Sequence, residues 1–151
     1  MSSNVDMSAT VVRDARREDL EGVTALLHGA SLPTLGVTDH FENFLVAENH
    51  GSVLGAIGLE LYGETALLRS AVVSPENRNL GLGSRLYEAL LLRARSLGVH
   101  RLILLTNTAE QYFQRKGFRK IDQSTVTGPV TTSVEFTGAC PSHAACMEMF
   151  L

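Results

Sequence analysis

Cysteine is scarce in this 151-residue chain: only Cys140 and Cys146 occur, near the C-terminus. A disulfide framework is therefore excluded as the source of stability, and two reduced thiols in a cytoplasmic protein are the expectation. No apolar run approaches the roughly 18 residues that cross a bilayer, and the opening MSSNVDMSAT carries no basic segment ahead of an apolar core. Neither a membrane span nor a secretory signal is expected. Clustered basic residues are missing too. With 13 Lys and Arg against 16 Asp and Glu, the net charge of −3 argues against a nucleic-acid partner, because affinity for a phosphate backbone needs a concentrated positive patch. His28, His40, His50, His100 and His143 are scattered without metal-ligand spacing, so no metal is expected. Low-complexity blocks and internal repeats are also lacking. What remains, 44% hydrophobic residues, suffices for one packed domain and not comfortably for two. Residues 1–10 read as a flexible tail and residues 11–151 as a single domain.

The chain is organised around residues 65–84, TALLRSAVVSPENRNLGLGS. An apolar, β-favouring run ends at Ser74 and Pro75, and Arg78-Asn79-Leu80-Gly81-Leu82-Gly83 leads directly into a helical pattern. Glycine lets the backbone approach a ligand where a Cβ would collide, and the first amides of a helix point outward at the positive end of its dipole. Such a nest suits phosphate, although the same residues also read as a turn that merely caps a helix. Two familiar phosphate loops are absent. No Gly-Lys-Ser/Thr follows, and the three-glycine dinucleotide pattern is not there.

Around this stretch the elements alternate. Val11 and Val12 suggest a short strand, and Leu20, Val23, Leu26 and Leu27 recur on one helix face. Residues 31–40 read as a loop or short helix. Residues 44–48 and 53–62 form an expected hairpin through Asn49-His50-Gly51, and Gly63-Glu64 turns into a third strand. Gly55 and Gly58 within a strand signal a bulge or close packing. Leu82, Leu86, Leu90, Ala94 and Leu97 mark a helix of about four turns, closed by Gly98. The continuous apolar run RLILLT (residues 101–106) reads as a buried strand with a parallel neighbour. A short helix over residues 109–116, a strand over 118–121, a loop or helix over 128–139 and a last strand within 145–150 complete an α+β order.

Arg-x-x-Gly-x-Gly after a strand ending in Val-x-Pro, followed later by Lys116-Gly117-Phe118, resembles the GNAT superfamily of N-acetyltransferases. The segments LLRSAVVSP, LILLTNTAEQYFQRKGF and VEFTGACPSHAACM narrow the resemblance to the short amino-acid acetyltransferases related to N-acetylglutamate synthase, most of all to the arsenic-resistance acetyltransferases. That likeness runs from about Val12 to Met147. It implies a mixed, mostly antiparallel six- to seven-stranded sheet flanked by helices, acetyl-CoA as co-substrate, a small-molecule amino-acid acceptor and a homodimer as a frequent assembly.

The resemblance also distributes roles. Main chain at Ala71, Val72 and Val73 pairs with the pantetheine arm, and amides of Arg78, Asn79, Leu80, Gly81, Leu82, Gly83 and Ser84 hold the pyrophosphate. Arg78 either adds charge there or is a solvated loop cation. Family members often carry Asn-x-x-Ala-x-x-Phe-Tyr before the Gly-Phe corner; the matching positions here include Thr106, Ala109, Tyr112 and Phe113. The expected Tyr, proposed in the family as the acid for the thiolate, is thus Phe113. Tyr112 sits about 100° round the helix and does not inherit its place. Thr106 or a water is left to handle the thiolate, with Phe113 beside the cofactor.

Acetyl transfer requires a neutral amine, a stabilised thioester oxygen and a protonated leaving thiolate. Glu60 is the candidate base, acting through water, or else a plain structural partner. Arg69 in a largely apolar strand is costly to bury unless paired. It is either a bidentate clamp for an acceptor carboxylate or arsinate, or half of an ion pair with Glu60 or Glu135. Ser70, Leu32 and Glu135 are the other candidate acceptor contacts. Cys140 and Cys146 are soft enough for trivalent arsenic, but read more simply as inert thiols. An acetyl-CoA-dependent transferase acting on the α-amine of a glutamate-like or organoarsenical amino acid is the leading function, by direct transfer because no activated nucleophile is evident. A non-catalytic acetyl-CoA or arsenical sensor and a protein-lysine acetyltransferase are the alternatives.

Overall fold

The structure, a computed structural model, describes residues 7–139 and 144–151. Cys140, His143 and residues 1–6 of the expected tail lie outside the described residues. Seven strands are described: β1 (Val11–Asp14), β2 (Phe44–Asn49), β3 (Ser52–Tyr62), β4 (Thr65–Val73), β5 (Arg101–Thr106), β6 (Arg119–Ile121) and β7 (Ala145–Phe150). They form one mixed sheet in the order β1-β2-β3-β4-β5-β7-β6. The helices are α1 (Leu20–Gly29), α2 (Val37–His40), α3 (Leu82–Ser96) and α4 (Glu110–Arg115). This is the α+β architecture expected from the sequence, with α2 resolving the segment that read as loop or short helix.

The chain divides into two compact units, one holding the chain up to Gly58 with Ser70–Arg93, the other Leu59–Arg69 with Ala94–Leu151. In the first unit, antiparallel β1, β2 and β3 carry an apolar cluster of Val23, Leu27, Val37, Phe44, Val46, Ala56 and Val72. Arg13 ties this unit's start together: its guanidinium donates to Asp19 at 2.8 and 3.1 Å and to Glu48 at 2.9 Å. Thr10, assigned to the tail from sequence, is buried, and its hydroxyl accepts from Asn49 Nδ2 at 2.9 Å.

The two glycines in β3 have separate steric reasons, and the pairing register shifts between Ala47 and Glu48 of β2. A Cβ on Gly55 would stand 2.9 Å from the Val72 carbonyl oxygen, and one on Gly58 only 2.3 Å from the fully buried Phe44 ring. Overpacking a filled core costs about 1–3 kcal/mol. Gly58→Ala is therefore expected to lower the thermal midpoint by about 3–10 °C, as calorimetry would measure; an unchanged midpoint would contradict this packing.

In the second unit β5 lies between β4, paired in parallel over Thr65↔Arg101 to Leu67↔Ile103, and antiparallel β7. That is the buried, parallel-neighboured place its apolar run calls for. Glu148 of β7 is buried and accepts from Arg101 (2.9 and 2.6 Å) and Arg119 (2.8 and 2.5 Å). Burial raises its carboxyl pKa, but the two guanidiniums outweigh that and leave it below the ordinary value. Asp19 and Glu48 are held low by hydrogen bonds from Arg13, and Asp122 by those of Ser124. Carboxylates depressed in the folded state contribute stability above their unfolded pKa values, about 3.9 for Asp and 4.3 for Glu, and lose it as pH falls through the folded ones. The thermal midpoint should be flat from neutrality down to about pH 5 and drop below that. Glu148→Gln should lower it at pH 7 and by progressively less as the pH falls below the ordinary glutamate range; a deficit that does not shrink with acidification would refute the linkage.

Candidate active site

The first unit holds the Gly-rich loop that the sequence singles out. After β4, Pro75–Asn77 form a 3-10 turn that Asn77 fastens, its buried Nδ2 donating to Ser74 Oγ at 2.7 Å. Ser74 N in turn donates to the Leu54 carbonyl at 2.8 Å. The chain then reverses through two left-handed residues, Asn79 (φ 67°) and Gly81 (φ 81°), and enters α3 at Leu82. Asn is among the few residues besides glycine that visit this region routinely. Arg78, Asn79, Leu80 and Gly81 are exposed, Gly83 and Ser84 half-buried, and among the described residues no heavy atom beyond its chain neighbours lies within 4 Å of a Cβ built on Gly81. The result is open space beside a Gly-rich loop at the N-terminus of a 15-residue helix, where amides and dipole favour an anion. Arg78 folds back, its Nε donating to the Val73 carbonyl at 3.2 Å.

Along β4, Ser70 is also left-handed (φ 60°). A non-glycine residue in this region in mid-strand is uncommon, and such strain concentrates at functional sites. On either side of Ser70, Arg69 and Val72 are buried, while Ala71 is exposed. The parallel pairing of β4 with β5 runs over Thr65, Ala66 and Leu67, ahead of Ala71, Val72 and Val73.

The second unit contains a ring of five residues joined by side-chain hydrogen bonds, one ion-pair contact and one backbone amide. Arg69 Nη1 donates to Glu60 Oε2 at 2.7 Å, and Tyr62 Oη donates to Glu60 Oε1 at 2.5 Å. Ser133 shares a side-chain hydrogen bond with Tyr62 and accepts from the Glu135 amide at 3.1 Å. Glu135 Oε2 closes the ring at 3.5 Å from Arg69 Nη2. Glu60, Arg69, Ser133 and Glu135 are buried. Arg69 has both ion-pair partners that the sequence names, Glu60 and Glu135. The phenol of Tyr62 is pushed up to about 12 by burial and by its bond to Glu60, so it stays protonated across the physiological range.

Other sequence candidates have different surroundings. Thr106 Oγ1 accepts from the amides of Ala109 (3.0 Å) and Thr108 (3.4 Å), fastening the entry to α4. Phe113 is buried, its ring edge-on to Phe118 at 5.5 Å and to Tyr112 at 5.2 Å. Leu32 is half-buried against the first unit's apolar cluster. Cys146 is buried, and burial raises its thiol to about 11, which leaves little thiolate to capture a soft metal at neutral pH. Among the described residues no cluster of three His, Cys, Asp or Glu is placed to hold a metal, and no helix is long and apolar enough to cross a membrane.

Four participants escape a reading of the sequence: Tyr62, Ser133, Ser74 and Asn77. Tyr62 had a usable signal. It stands two residues after Glu60 in one strand, and strand period places such residues on the same face. Ser133 had none, since it lies in a run of short turns with no periodicity.

Residues 40–120, which include this strand, reversed glycine loop and long helix, match the model of the acetyltransferase (GNAT) domain. The chain belongs to that family. It is 30% identical to an amino-acid acetyltransferase of Mycobacterium tuberculosis over 93% of this chain and 83% of that relative. It is also 29% identical to an amino-acid acetyltransferase of Mannheimia succiniciproducens over 72% of its own length, and spans only 27% of that relative. The fold resembles that of N-acetylglutamate synthase from Neisseria gonorrhoeae, solved with coenzyme A and N-acetyl-glutamate: TM-score 0.81, 20% identity, 94% of this chain and 35% of that one.

Proposed function

We propose that the protein is an acetyl-CoA-dependent N-acetyltransferase acting on the α-amine of a small, anionic amino acid, glutamate-like or an organoarsenical analogue. The observation that carries the reading is the loop: left-handed Asn79 and Gly81, open space at Gly81, and the first turn of α3. The residues present fit a diphosphate, with amides of residues 79–84 and the charge of Arg78 as its holders and the main chain of Ala71, Val72 and Val73 as partners for the pantetheine arm. Acetyl-CoA supplies an activated acyl group on a good leaving sulfur.

The chain's own residues handle the acceptor. The α-ammonium of a free amino acid holds its proton at neutral pH, so Glu60, whose carboxylate accepts from Arg69 and Tyr62, is the base that takes it. Arg69 is the cation for the acceptor's carboxylate, and Glu135, the looser of its two partners, is the group that carboxylate displaces. Thr106 is the side chain proposed at the departing thiolate. Relatives named amino-acid acetyltransferase support the acceptor class. The test is thiol release from acetyl-CoA across a panel of amino acids that includes glutamate, its N-methylated form and an arsenical analogue. Turnover confined to free α-amines of anionic amino acids is expected. Tight coenzyme A binding without turnover on any acceptor would contradict catalysis and favour a sensor.

A further inference from the structure

Glu60 is fully buried, so a proton leaving an acceptor has no direct route to it. Within the ring of Glu60, Tyr62, Arg69, Ser133 and Glu135, Tyr62 is the one half-buried member. Its hydroxyl is already committed to Glu60 Oε1 at 2.5 Å, while Arg69 occupies the other carboxylate oxygen at 2.7 Å. Resting on the acetyltransfer reading above, we infer that Tyr62 is a catalytic residue that relays the acceptor's proton to Glu60. One N–H bond of the ammonium breaks and its proton passes to Tyr62 Oη as the phenol's own proton passes to Glu60 Oε1. The neutral amine then forms the C–N bond while the thioester C–S bond breaks, and the amine's second proton ends on sulfur. Protons balance, with one left on Glu60 for release to solvent.

Among the described residues, Glu60 and Arg69 are the charged groups that act on the phenol, and both fit that task. Glu60 draws its proton inward, and a phenol titrating near 12 does not lose it to solvent first. Arg69 offsets the charge of Glu60, with Glu135 beyond it at 3.5 Å. Ser133 fixes the direction of the hydroxyl from a second side and is itself anchored by the Glu135 amide.

The test compares wild type with Tyr62→Phe across pH. A relay matters only while the amine is protonated. The ratio of wild-type to variant kcat is expected at about 10²-fold near pH 7, shrinking to a few-fold once the pH is well above the pKa of the acceptor's own ammonium, with KM for acetyl-CoA within about twofold. A ratio independent of pH, or no loss at pH 7, overturns the relay. Ser133→Ala, which leaves the phenol but loosens its aim, should show a smaller loss with the same pH trend, and keeps the inference testable if Tyr62→Phe folds poorly. Apart from turnover, the ring-carbon NMR signal of Tyr62 should shift on adding glutamate to the coenzyme A-bound protein; no shift overturns the relay. Absence of turnover in the wild type would instead overturn the acetyltransfer reading and the relay together, whereas wild-type turnover with an unaltered Tyr62→Phe profile overturns the relay alone.

Discussion

Gly81→Asp is expected to weaken coenzyme A binding by about a hundredfold or more while leaving the fold intact. Two effects add. The residue holds φ 81°, and a side chain in that region costs about 1–2 kcal/mol. An aspartate in the loop also sets a negative charge against a diphosphate. Two like charges 4 Å apart repel by about 4 kcal/mol at an effective dielectric constant of 20, and each 1.4 kcal/mol or so is tenfold in affinity. Charge repulsion thus outweighs backbone strain. Gly81→Ala, which keeps only the backbone strain, should lose roughly tenfold. Steric collision is not the cause in either variant, because space beside Gly81 is open. Calorimetric titration with coenzyme A measures both. Equal losses would mean that strain alone matters and that no anion sits at the loop.

Glu60→Gln is the second variant with a large expected effect. Positioned acid–base groups contribute about 10²–10⁴-fold, and Gln keeps the shape and one acceptor oxygen while removing the basic one. kcat should fall within that range at pH 7 and coenzyme A affinity should stay near that of wild type. The fully buried Arg69 would keep Glu135 as an ionised partner at 3.5 Å, so some loss of stability is expected as well. Loss of a buried pair's partner costs about 3–5 kcal/mol when nothing replaces it; with Glu135 present the deficit should be smaller. A parallel thermal melt separates the two consequences. Unchanged kcat would remove Glu60 from the chemistry and leave it a structural partner of Arg69.

Much of the fold was legible because hydrophobic period and turn chemistry are local. The apolar run of β5, the four-turn stripe of α3 and the last strand at residues 145–150 each follow from a few neighbouring residues. The place of β7 between β5 and β6 does not, since strand order depends on pairing between distant segments. Gly55 and Gly58 announced close packing, but Val72 and Phe44 as the groups in the way became known only in three dimensions.

The candidate site divides in the same manner. The turn into α3 was legible because Gly81 and Gly83 advertise a reversing backbone, and Gly81 does hold a left-handed φ. Left-handed Ser70 was not, as serine carries no such signal. For Arg69, burial cost correctly demanded a partner, and both glutamates named from sequence are there. The closing residue Ser133 was hidden in turns, where a polar residue looks like any surface serine.

The account rests on backbone amides after β4 gripping the diphosphate of coenzyme A. Amide-resolved NMR during a coenzyme A titration tests this most directly. The largest shifts should fall on Val72, Val73 and residues 78–84, saturating together. No saturable change, or changes centred on other segments with this loop silent, would contradict it.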